Sequence, residues 1–311
     1  MSNVTANMVK DLRDKTGAGM MDCKSALAET NGDVEAAIDW LRKKGLSKAA
    51  KKSSRVAAEG LIGVAVNGDA GALVEVNAET DFVARNDTFK EFVKRAAELA
   101  LLAGGDVDKL LAHPHSPGGA SVKDTATELV AKIGENISVR RTIALSVSPG
   151  VVATYVHNAS SPELGKIGVL VALKSTADKT KLAALGKQLA MHIAAAAPLA
   201  LTPEHLSPDV IARERAIQAD LARQSGKPEN VVEKMIEGRM RKFFEDSVLL
   251  SQIFHSADSD GKTTVSAVVE KASKDLGSPV IIDAFVRFAV GEGIEKIDGD
   301  FADEVNKMAG R

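Results

Sequence analysis

Residues 72–102 read ALVEVNAETDFVARNDTFKEFVKRAAELALL. Residues 72–76 alternate toward an apolar strand. Residues 89, 92, 93, 96, 97 and 99 are apolar at helical spacing. A strand therefore runs into a helix, and residues 80–86 (TDFVARN) form the turn between them. That turn places an acid, an aromatic and a base within five residues. A turn tip has little core to cover a phenyl ring, so Phe82 admits two readings. In the first, Asp81 caps the helix and Phe82 folds back as a hydrophobic staple. In the second, Phe82 is exposed to enter a partner's pocket, with Asp81 and Arg85 beside it for polar contacts.

The chain's 311 residues are 45% hydrophobic and 26% charged, which suits a globular protein of two or three domains. A net charge of -2 gives no sign of a general nucleic-acid or membrane surface. One cysteine, Cys23, precludes an internal disulfide and suits a reducing compartment. No signal peptide and no membrane-spanning run is read, so a cytoplasmic location is expected. Aromatics make up only 4%, so Ala, Val, Leu and Ile must build most of the core.

Residues 56–290 carry an internal duplication. Residues 61–66 (LIGVAV) correspond to 151–156 (VVATYV), and 72–76 (ALVEV) to 168–172 (GVLVA). The helical run 89–101 corresponds to 182–193, and 139–147 (VRRTIALSV) to 284–290 (AFVRFAV). Each half reads as hairpin, helix, further helix and returning strand. The fold class expected is α+β, a duplicated core with antiparallel sheets. The halves differ after the second strand: residues 174–180 (KSTADKT) hold no aromatic where 80–86 hold Phe82. A residue needed only for packing tends to recur in both halves, so Phe82 suits a contact role.

Before the core, residues 4–45 read as three short helices. Val4, Met8, Val9 and Leu12 form one stripe; Met21, Ala26 and Leu27 face the core from the second helix; Val34, Ala37, Ile38 and Leu41 complete the third. Paired glycines break the first turn and Asp33 caps the third helix. Residues 46–55 (LSKAAKKSSR) are basic and polar, and read as a linker. Residues 103–120 read as a helix break and a solvated loop, in which His113 and His115 make a weak metal site. In the second half, residues 209–250 read as an inserted helical hairpin, with apolar positions 210, 217 and 221, then 232, 236, 240 and 243. Residues 302–308 read as a short terminal helix that must dock on something.

Four stretches carry a resemblance. Residues 80–86 (TDFVARN), 8–46 (MVKDLRDKTGAGMMDCKSALAETNGDVEAAIDWLRKKGL), 132–141 (KIGENISVRR) and 287–296 (RFAVGEGIEK) resemble, in order, the elongation factor Ts family. The resemblance runs from about residue 4 to residue 309. It implies an N-terminal three-helix, ubiquitin-associated-like domain at 1–45, a linker at 46–55, and core subdomains at 56–149 and 150–290. A C-terminal module at 291–311 follows. It implies a partner, elongation factor Tu, GDP-bound or nucleotide-free, and exchange of its nucleotide by disturbing the magnesium and phosphate site. It assigns that action to Thr80, Asp81, Phe82, Val83, Ala84, Arg85 and Asn86. Further contacts implied are Arg13, Met20, Met21, Lys24, Ile133, Gly134 and His157, with Phe254 and His255 as another match. A homodimer or a two-by-two complex is left open.

No catalytic set is read. Gly261-Lys262-Thr263 ends like a phosphate loop, but the earlier glycine position is Ser256. Asp258-Ser259-Asp260-Gly261 lacks a carboxylate at the first and twelfth positions of a calcium loop. The chain is thus expected to bind no nucleotide, cofactor or metal and to perform no covalent chemistry. A ubiquitin-associated-type adaptor or chaperone-linked binding module is the alternative; it explains residues 4–45 but neither the duplication nor 80–86.

Overall fold

The computed structural model describes residues 4–255 and 261–295. Helices α1 (Ala6–Thr16), α2 (Met20–Glu29) and α3 (Val34–Lys52) come first. The hairpin β1 (Glu59–Asn67) and β2 (Ala70–Ala78) follows, then the single turn α4 (Asp81–Ala84) and α5 (Asp87–Leu102). Helices α6 (Val107–Ala112) and α7 (Val122–Ile133) lead to β3 (Ile137–Ser146). The second half runs through β4 (Gly150–His157), the short β5 (Leu164–Gly165), β6 (Ile167–Lys174) and α8 (Lys179–Ala196). It closes with α9 (Pro208–Arg223), α10 (Glu229–Ser247), α11 (Val265–Leu276) and β7 (Ile281–Ala289).

The fold is α+β with antiparallel sheets. One sheet has the order β3-β2-β1-β5, the other β4-β6-β7. Each half builds the same arrangement, its second long strand central. Even the irregularities correspond: the register slips between Glu75 and Val76 against β3, and between Ala172 and Leu173 against β7. The sheets share an apolar layer of Ile62, Val64, Leu73, Val152, Leu170, Ala172 and Phe288. Glycine makes the close approach possible. A Cβ on Gly168 would lie 2.6 Å from Ile62 Cγ2. The outer face of the first sheet is covered by α5 and α7, and that of the second by α8 and α11. Central strands are thus buried on both faces, which is why β2 reads as a near-continuous apolar run.

Two polar residues interrupt that run, Glu75 and Asn77, both buried. Glu75 accepts hydrogen bonds from Asn77 Nδ2 (3.0 Å), Arg140 Nη1 (3.1 Å), Arg141 Nε (2.5 Å) and the Gly291 N–H (2.8 Å). Burial pushes its pKa up. The Gly291, Asn77 and Arg141 hydrogen bonds and the Arg141 charge outweigh that, and the carboxyl titrates below its ordinary 4.5. Arg141 also donates to Ala289 O and stacks over the Phe288 ring, 4.1 Å from its centroid. One carboxylate therefore ties β2, β3 and the exit from β7 together.

Several expectations meet corrections. The third helix does not stop near residue 45: α3 continues to Lys52 through the stretch read as a linker. That half of α3 packs on α7 through small residues, Gly45 against Ala131 and Ala49 against the core, so it shows no large apolar stripe. Met21 points outward, and Cys23 fills the small core with Ala26 and Leu27. The 103–120 loop contains α6, and His115 stacks on Phe92 with ring centroids 5.3 Å apart. In the helical insertion, α10 buries Val232, Ile236 and Met240 as its spacing required. On α9, Val210, Ile217 and Leu221 are exposed, and Ile211, Ala219 and Ala222 make the contact instead. The expected helix at 302–308 lies outside the described residues.

Glu75→Gln keeps the shape but removes the carboxylate that pairs with Arg140 and Arg141, and leaves Arg141 only the longer pair with Glu292 at 3.4 Å. It should cost about 3 kcal/mol, the low end for a broken buried pair because both guanidiniums reach water. Glu75 has a depressed folded pKa. Its stabilisation is present above its ordinary 4.5 and is lost as pH falls through its folded value. Urea unfolding should therefore show the variant and the parent closer in stability at pH 3 than at pH 7.

Candidate functional site

Strands β2 and β3 pair up to Ala78 opposite Ile137. Beyond that pair, carboxylates replace backbone carbonyls as acceptors. Glu135 takes the Thr80 N–H on Oε2 (2.9 Å) and the Thr80 hydroxyl on Oε1 (2.8 Å). Glu79 takes the Asn136 N–H (2.6 Å) and Arg55 Nη1 (3.2 Å). The Arg55 carbonyl accepts from Asn136 Nδ2 (2.8 Å), and Lys52 Nζ donates to the Gly134 carbonyl. The end of α3, the end of β2 and the turn from α7 into β3 thus meet in one polar clasp.

The clasp supports the turn at 80–86. Thr80 stands at the N-cap of α4 in an extended conformation. On the inner side of α4, Val83 and Ala84 are buried in the core. On the outer side, Phe82 is 74% exposed. Asn86 caps α5 by accepting the Phe89 N–H at 3.2 Å. The staple reading of Phe82 is thereby excluded, and Asp81 is not the cap: its Oδ2 pairs with Arg85 Nη2 at 2.9 Å. Both members of that pair are largely in water, so it contributes little to stability and costs little to open. An unsupported aromatic on a supported backbone, between an acid and a base that separate cheaply, is suited to inserting into another protein.

Of the other residues singled out, Ile133 and Gly134 adjoin this clasp. Ile133 packs inward against the core, and Gly134 ends α7 at φ 90°, a left-handed conformation that favours glycine. Arg13, Met20, Met21 and Lys24 are all exposed on α1 and α2, with Met20 49% and Met21 72% exposed. Two thioethers in water at a helix start form an adaptable apolar surface. The turn between these helices approaches the same α7 end: a Cβ on Gly17 would lie 2.9 Å from Lys132 Cε. His157 stands apart. It ends β4 on the other sheet, exposed, with Nδ1 3.2 Å from the Tyr155 hydroxyl. Phe254 is no surface contact; it is buried in the second core. Beside it, the His255 N–H donates to His192 Nδ1 (3.2 Å), so the ring proton sits on Nε2 and is donated to Gln252 Oε1 (2.9 Å). Burial, assisted by the His255 charge and opposed by the Gln252 bond, holds His192 below its ordinary 6.5.

Sequence reading missed Glu79 and Glu135. Only the observed register reveals them: continued past Ala78–Ile137, it places residue 79 opposite 136 and residue 80 opposite 135. Among the described residues no cluster of His, Cys, Asp and Glu is arranged to hold a metal. No described helix is long and apolar enough to cross a membrane. Of the positions that fail the phosphate-loop and calcium-loop patterns, Ser256 lies outside the described residues and Ala267 sits in the first turn of α11.

Comparison with known proteins gives a consistent result. The family model described as Elongation factor TS matches residues 79–292. An elongation factor Ts of Rhodospirillum centenum is 59% identical over 310 residues, covering 100% of both chains. One of Parvibaculum lavamentivorans is 58% identical, with 99% of each chain covered. One of Rhizobium etli is 57% identical, with 98% of each covered.

Two measurements check the second core. Phe254→Ala should cost about 3–5 kcal/mol by thermal unfolding, as a buried ring does. His192 has a folded pKa below its ordinary value, so stability should be full above about pH 6.5 and decline as pH falls below it. His192→Gln, which keeps one donor and one acceptor, should flatten that decline between pH 7 and 5.

Proposed function

This chain belongs to the elongation factor Ts family and is a translation elongation factor; from that premise we propose that it binds elongation factor Tu and promotes exchange of its GDP for GTP. The observation that carries the reading is Phe82, a solvent-exposed aromatic at the tip of a turn held from below by Val83, Ala84 and Glu135.

Exchange is a linkage problem. A protein that stabilises the nucleotide-free partner weakens nucleotide binding by the same factor. The structure to be disturbed is a phosphate cradle with a bound magnesium ion. Phe82 acts as a wedge between partner side chains and displaces the elements that support the metal. The Asp81–Arg85 pair opens on contact, and the released carboxylate competes for donors or disturbs magnesium ligation. Arg13, Met20, Met21 and Lys24 hold the partner from the three-helix unit of α1, α2 and α3. Ile133 and Gly134 present backbone next to the wedge, and His157 makes a separate contact from the second sheet. No covalent bond changes, so the protein is an exchange factor rather than an enzyme, binds no nucleotide or cofactor itself, and works in the cytoplasm where elongation proceeds. A net charge of -2 supports the further reading that it has no general nucleic-acid or membrane surface.

The test pairs folding with exchange. Phe82→Ala should change the unfolding free energy by under about 0.5 kcal/mol, as at other exposed sites. Release of fluorescent GDP from elongation factor Tu should slow by roughly tenfold or more, since a buried interface aromatic contributes about 2 kcal/mol or more. A large loss of melting temperature with undiminished exchange per folded molecule would remove Phe82 from the mechanism. Asp81→Ala should slow release with a smaller change in complex affinity.

A further inference from the structure

We propose that Glu135 is a positioning residue for exchange: its carboxylate sets the direction in which Phe82 projects. The inference rests on the exchange reading above.

The geometry is specific. Thr80 is the N-cap of α4, yet its side chain makes no capping bond to that helix. Its hydroxyl and its N–H both go to Glu135, one to each carboxylate oxygen. A two-point bond of this kind fixes the orientation of the peptide plane as well as its place. Phe82 follows two residues later in a helix of only four, too short to define its own axis. The inner face is pinned by Val83 and Ala84 and the far end by Asn86. The near end is pinned by Glu135. Phe82, largely exposed, has little packing of its own to hold its direction. Glu135 is in turn placed by the left-handed cap at Gly134, whose carbonyl is held by Lys52 from α3. The wedge is thereby referenced to the helix that carries the rest of the three-helix unit, so both contact surfaces keep one relative geometry.

A purely structural glutamate would lower stability and binding together. A positioning glutamate acts through Phe82, which a double-mutant cycle detects. The experiment measures GDP release from elongation factor Tu with the unaltered chain, Glu135→Ala, Glu135→Gln, Phe82→Ala and the Phe82→Ala/Glu135→Ala pair, with thermal unfolding of each. If the unaltered chain does not accelerate release, the exchange reading itself fails, whatever Glu135 does. If it does, Glu135→Ala should lower the maximal release rate by about fivefold or more while the half-saturating concentration moves by under about twofold. In the Phe82→Ala background the same change should have no further effect. Glu135→Gln, which retains one acceptor, should recover most of the rate. Should Glu135→Ala not fold, Thr80→Val, which deletes only the hydroxyl donor, carries the same cycle. An unchanged rate, or an equal fold-loss with and without Phe82, overturns the proposal.

Discussion

The structure depends first on one buried charge. Glu75 lies in the central strand of the first sheet, where a carboxylate is costly unless it is paired and hydrogen-bonded. Its partners come from three places: Asn77 on the same strand, the paired strand at Arg140 and Arg141, and the turn at Gly291 beyond the last strand. A charge of this kind tolerates few alternative arrangements. It selects the register of β3 on β2 at a bulge, and it selects the position of the second half against the first. Two of the stretches that resemble the family, 132–141 and 287–296, converge on it.

The turn at 80–86 follows a different logic. Its backbone is over-determined, with carboxylates, a helix cap and buried small side chains all acting on seven residues. Its exposed side chains are the reverse: a bare phenyl ring and an ion pair that water already screens. Rigidity below and low cost above suit an element that must meet a partner at small reorganisation energy. The duplication sharpens the contrast. The corresponding turn at 174–180 leads into α8 through an ordinary aspartate cap at Asp178 and carries no ring. The same scaffold therefore occurs twice and carries an exposed ring at this turn once.

Much of this was legible in the sequence, and what was not has identifiable causes. Strong periodicity read correctly: the β2–α5 passage, the repeat of hairpin, helices and returning strand, and the α10 stripe. The exposure of Phe82 was suggested by its occurrence in only one half. Errors arose where packing uses small residues or where two faces compete. The second half of α3 is held by Gly45 and Ala49, which leave no apolar stripe to read. On α9 Val210, Ile217 and Leu221 face water, while Ile211 and two alanines make the contact. Met21 and Cys23 are two residues apart on α2, and only the fold decides which faces inward. The Glu79 and Glu135 clasp stayed hidden because it joins residues far apart in sequence through side chains at a strand end.

The short strand β5 has a consequence for synthesis. Its two residues belong to the second half, yet they close the outer edge of β1, with Gly165 opposite Ile62 and Leu164 opposite Gly63. A nascent chain that has completed α7 and β3 still carries β1 with one row of N–H and C=O groups unpaired. Such an edge is a template for another chain. It stays open until residues 164 and 165 leave the ribosome, so the first half is most prone to wrong association during that interval. A factor that serves translation is thus itself exposed, while it is being made, to the pace at which translation proceeds.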